Sequence, residues 1–128
     1  MKTHFTVALS IMTGMAIGGF GVQALKAQAK PPVYYVAEID APDLAAYMKD
    51  YAPLAQASIK AAGGKIIASG QAKSVEGDPP KATRVVIQVW ESEEQIQKWR
   101  TSAEYKKSRE IGDKLAKFRS YSLNGTPQ

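Results

Sequence analysis

The chain contains no Cys. That excludes disulfides, thiolate metal sites, iron–sulfur clusters and a cysteine nucleophile. Histidine is almost as scarce, with His4 its single occurrence. Acidic residues are in the minority, 12 Asp+Glu against 17 Lys+Arg, for a net charge of +5. With 128 residues, 45% of them apolar, the chain has the size and composition of one globular domain rather than of a disordered segment.

Lys2 is followed by Thr3 to Leu25 without a charged residue, and Lys26 closes the run. A basic start followed by an apolar stretch is the pattern of a secretory signal peptide. Ala27-Gln28-Ala29 supplies the small residues of a cleavage site. The sequence thus predicts a leader over residues 1–29, a domain over 30–128 and a periplasmic or secreted location. The alternative is an uncleaved anchor over 3–25, which its Gly and polar residues weaken. No stable membrane span is expected after cleavage, and the lack of further apolar spans suggests a bacterial source. The mature chain would hold 15 Lys+Arg, 12 Asp+Glu and no His. A Ser-His-Asp triad and His-ligated zinc or haem are therefore excluded from the domain.

Residues 34–40 alternate as a strand, with Tyr35, Ala37 and Ile39 on one face and Tyr34, Val36 and Glu38 on the other. Pro42-Asp43 opens a helix running to about Ala62. Leu44, Tyr47, Met48, Tyr51, Leu54, Ala55, Ser58 and Ile59 recur along it at helical spacing. Pro53 should kink or split it, and Gly63-Gly64 ends it. Residues 65–75 read as a second strand and 76–80 as a turn-rich loop. Residues 83–91 read as a third, with Arg84, Val86, Gln88 and Trp90 on one face. Ser92-Glu93-Glu94-Gln95 is a capping box. Ser102 caps a further helix to about Ala116, with Tyr105, Ser108, Ile111, Gly112 and Leu115 inward. Residues 117–123 form the last strand.

The order β-α-β-β-α-β predicts an α+β, ferredoxin-like fold with helices on one face of an antiparallel sheet. The other face is expected to carry Tyr34, Val36, Val86 and Trp90, too apolar to remain in water. Two sheets packed face to face would cover it, which predicts a homodimer forming an α/β barrel.

Two places could carry chemistry. The barrel interior would receive Arg84, Gln88 and Trp90 from strand three, with Tyr34 and Glu38 from strand one. There Arg84 either holds an anionic ligand or pairs with Glu38 or another acid. The second place is Trp99, Ser102, Tyr105 and Arg109, where Ser102 as a helix cap needs no functional reason. The others are either helix-face core, with Arg109 paired to Asp113, or an anion site at the cavity mouth. Without His, a general base would have to be a carboxylate such as Glu38 or Glu91, a Tyr or a Lys. No P-loop, dinucleotide fingerprint or zinc pattern is present, so neither a metal nor a cofactor is expected. Basic and acidic residues interleave in the last third, as on a solvated helix, so no nucleic-acid partner is expected.

Several motifs occur in a telling order. They are Tyr34–Asp40, Tyr51-x-Pro53, Gly63-Gly64, Gly70, Glu76-Gly77 and Arg84-Val85-Val86-Ile87. Then come Trp99-x-x-Ser102-x-Glu104-Tyr105-x-x-x-Arg109 and a strand ending at Gly125. Across residues 33–125 the chain resembles the domain of unknown function 1330 family, within the dimeric α/β-barrel superfamily. Arg100 stands where family members often carry an aromatic. The resemblance implies a ferredoxin-like dimer. Superfamily relatives include cofactor-free monooxygenases and isomerases. Three functions are therefore open: a small-molecule-binding homodimer, a cofactor-independent enzyme, or a non-catalytic interaction module.

Overall fold

Eight residues that alternate between a buried and a more exposed face make β1 (Val33–Asp40), the strand on which the sheet is built. The computed structural model describes residues 30–128, so the expected leader lies outside the described residues. β1 leads into a short α1 (Leu44–Ala46), capped by the Asp43 carboxylate, which accepts from Ala46 N at 3.0 Å. A π-helical turn, Tyr47–Tyr51, joins it to α2 (Ala52–Ala61). Then follow β2 (Lys65–Gly70), β3 (Arg84–Trp90), α3 (Glu93–Thr101), α4 (Ala103–Leu115) and β4 (Lys117–Asn124). The sheet order is β2-β3-β1-β4 and every pairing is antiparallel. This is the expected α+β, ferredoxin-like architecture. Among the described residues, no helix is long and apolar enough to cross a membrane.

Pro53 neither breaks nor splits the first helix. In a regular α-helix its ring would crowd the Lys49 carbonyl, and it has no N–H to give. The chain widens by one residue instead, so that Ala52 N bonds to Tyr47 O. The extra residue advances the helix phase by about 100°. Tyr47 and Tyr51 both turn inward, whereas Leu44, Met48 and Leu54, expected inside, are exposed. Ile111 on α4, also expected inside, is exposed too.

β2 ends at Gly70 rather than continuing to residue 75. It carries a bulge between Ile66 and Ala68, and Gln71–Thr83 forms no regular element.

The register corrects the assignment of faces. Directly opposed residues of an antiparallel pair share a face. Gln88 lies opposite Tyr35, Trp90 opposite Val33 and Arg84 opposite Ile39. Arg84, Val86, Gln88 and Trp90 therefore face the helices together with Tyr35, Ala37 and Ile39. Tyr34 and Glu38 point the other way, and Glu38 lies 3.9 Å from Arg119. The expected interior that joined Tyr34 and Glu38 to Arg84 does not exist, nor does an Arg84–Glu38 pair. Trp90 is 1% exposed, a core residue rather than part of the open face. That face carries Tyr34, Val36, Val85, Ile87 and Val89, with Tyr121 and Leu123 from β4.

Candidate functional site

Between the sheet and the helices lies a cavity of about 50 Å³. Arg84 and Gln88 reach it from β3, Trp99 from α3, and Tyr105 and Arg109 from α4. The two places separated in sequence are thus one site. Tyr34, Glu38 and Trp90 do not line it. Tyr35, Tyr47, Tyr51 and Phe118 do, and were not singled out from the sequence as site residues. The signal for the three tyrosines was the inward positions of strand one and of helix one; Phe118 lies on β4.

A scaffold of hydrogen bonds fixes the lining. Trp99 Nε1 donates to Ser58 Oγ at 3.1 Å, tying α3 to α2. The Trp99 ring meets Tyr35 and Tyr105 edge-on, with centroids at 5.5 and 4.8 Å, and lies 5.2 Å from Trp90. Trp90 Nε1 donates to Gln88 Oε1 at 2.8 Å. An indole N–H can only donate, so this bond sets the orientation of the Gln88 amide and leaves its N–H₂ as a donor.

The two arginines of the lining and Arg100, which bonds to the lining residues Tyr35 and Ser120, differ in how far they are engaged. Arg100 donates to Tyr35 OH at 2.9 Å and Ser120 Oγ at 3.3 Å. Arg109 donates to Tyr105 OH at 2.8 Å, pairs with Asp113 at 2.9 Å, and lies 3.8 Å above the Phe118 ring. Arg84 is half-buried and, among the described residues, has no carboxylate within 4 Å.

Electrostatics keep the tyrosines protonated. Burial raises Tyr47, and the charges of Arg84 and Arg109 only partly oppose it. Burial also pushes Tyr51 far above its ordinary value, reinforced by Tyr47. Burial raises Tyr105 as well, against the pull of Arg109 and Arg100. Burial disfavours the charge of Arg109, but Tyr105 and Asp113 more than offset it. The lining holds no Asp or Glu. Its polar side chains are guanidinium, amide and neutral hydroxyl groups, suited to an anion rather than to carboxylate-based proton abstraction. Among the described residues, no group of three His, Cys, Asp or Glu is placed to hold a metal ion.

Solved structures with this architecture include a protein of unknown function from Rhodopseudomonas palustris. It is 19% identical, with a TM-score of 0.53, over 76% of this chain and 84% of that one. SnoaB, a cofactor-independent oxygenase from Streptomyces nogalater, is 13% identical, with a TM-score of 0.58, over 77% and 96%. A Pseudomonas aeruginosa protein is 15% identical, with a TM-score of 0.56, over 77% and 98%. At these identities the likeness is one of fold. No curated protein matches the chain. The model of the domain of unknown function family DUF1330 matches residues 32–126, which takes in every strand and helix described above. The chain belongs to the DUF1330 family.

Proposed function

We propose that this protein is an exported homodimer that binds a small anionic or aromatic molecule in the cavity between its helices and its sheet. The observation that carries the reading is the cavity lining itself. Arg84 and Arg109, with the hydroxyl-bearing Tyr47, Tyr51 and Tyr105, surround a space with no acid in its wall. Cationic and neutral donors without a competing carboxylate favour a negatively charged guest. The open sheet face supports the dimer. Tyr34, Val36, Ile87, Val89 and Leu123 form a contiguous apolar surface of the kind a second copy would cover.

A cofactor-independent enzyme, the activity named for SnoaB, is the second reading. The Tyr105–Arg109 pair at 2.8 Å favours it, because a tyrosine held by a cation can donate a proton to a bound substrate. The third reading, a non-catalytic module with a filled interior, is disfavoured by the cavity.

Native mass spectrometry of the protein recovered from the exported fraction tests the proposal. The expected spectrum shows a mass beginning at residue 30, a dimer, and a bound small molecule released on activation. A ligand-free monomer retaining residues 1–29 would overturn it.

A further inference from the structure

We infer that the guest of this cavity is a two- or three-carbon carboxylate, its head group seated on Arg84 beside Tyr47. The inference rests on the binding reading above and narrows it to one chemical class. Three observations converge on it.

The first is size. A cavity of about 50 Å³ offers roughly three or four water positions, whereas an apolar cavity that takes a benzene ring measures about 150 Å³. An aromatic guest does not fit unless the walls move. Acetate or propionate matches the space.

The second is the engagement of the wall aromatics. Trp99 already contacts Tyr35, Tyr105 and Trp90, and Phe118 lies between Tyr51 and the Arg109 guanidinium. Stacking capacity is largely spent within the protein, so a planar guest would gain little.

The third is the supply of donors. Arg109 is committed to Asp113 and Tyr105, and Arg100 to Tyr35 and Ser120. Of the two cations in the lining, Arg84 lacks a partner among the described residues, and its charge acts on Tyr47. Gln88 is 3% exposed, and its carbonyl oxygen is occupied by Trp90. With that oxygen engaged by Trp90, the Gln88 N–H₂ remains a donor for an acceptor-rich guest.

Isothermal titration calorimetry of the purified protein with acetate, propionate, propionamide and benzoate tests this. Propionate should bind at least about tenfold more tightly than its neutral isostere propionamide. Arg84→Gln, checked for an unchanged thermal midpoint, should lose that preference. The comparison of propionate with propionamide needs no variant, so it stands even if Arg84→Gln misfolds. Equal affinity for the two, or a folded Arg84→Gln with unchanged affinity for propionate, overturns the Arg84 seat. Benzoate binding without propionate binding overturns the size argument and leaves the broader reading intact. If none of the four binds, the short-carboxylate inference falls, while the broader reading is decided by the native mass spectrum.

Discussion

At the scale of single residues, the cavity wall depends on contacts that tolerate little change. Ser58 Oγ accepts from Trp99 Nε1 and itself donates to Ala55 O at 2.9 Å. Ser58→Ala leaves a buried indole N–H without a partner, which costs about 1–3 kcal/mol. Urea denaturation should show that loss, and Trp99 fluorescence should shift with it. Gly112 is a tighter case. A Cβ there would sit 2.6 Å from the Tyr51 ring, closer than real contacts allow. Gly112→Ala must therefore displace Tyr51 and should destabilise by about 1–3 kcal/mol. In the Tyr51→Leu background the penalty should shrink, because the ring it strikes is gone. An unchanged penalty in the double mutant would refute the contact as its cause.

At the scale of elements, Gln95 joins three pieces of the chain. Its backbone N donates to Ser92 Oγ, its Oε1 accepts from Glu91 N, and its Nε2 donates to Ala62 O at the end of α2. Ser92→Ala removes only the helix cap, at about 1 kcal/mol. Gln95→Ala removes both side-chain bonds and should lower the urea midpoint further than Ser92→Ala. The Ser92–Gln95 cap was legible in the sequence because capping is local, and so were the order of the strands and the helix starts. What lay beyond the sequence was non-local. Alternation told which residues of β3 share a face, but not which face of β1 they join. That depends on the β1–β3 register, and one residue of slip exchanges every side chain. Arg84 and Gln88 were thus expected in one interior with Tyr34 and Glu38, whereas the register turns them to the opposite face, against the helices. The Tyr47–Tyr51 turn was hidden for a similar reason. Pro53 signals a disturbance, but whether the helix breaks, kinks or widens depends on what Tyr47 and Tyr51 pack against.

At the scale of the whole molecule, buried tyrosines and an uncovered sheet set how the protein responds to pH and to its own concentration. Tyr47, Tyr51 and Tyr105 all hold their protons more tightly when folded than when unfolded. Their contribution to stability is intact below about pH 10, the value for an unfolded tyrosine. Above it the unfolded chain releases protons that the folded chain keeps. Stability should then fall by about 1.4 kcal/mol per pH unit for each such tyrosine. Urea midpoints between pH 9 and 11.5 should trace that fall, and Tyr51→Phe should flatten it. The sheet makes a second demand. Leu123 is 59% exposed at the rim of a face whose centre is Val36 and Ile87, paired across β1 and β3. Ile87→Glu places a charge in the middle of the expected dimer contact without touching the cavity or the helix-facing core. If two sheets pack there, the substitution should convert the dimer to a monomer in sedimentation, because burying an unpaired carboxylate costs several kcal/mol. The far-ultraviolet spectrum should remain that of the folded chain. A dimer that survives Ile87→Glu would mean that the second copy docks elsewhere and that this apolar face serves another purpose.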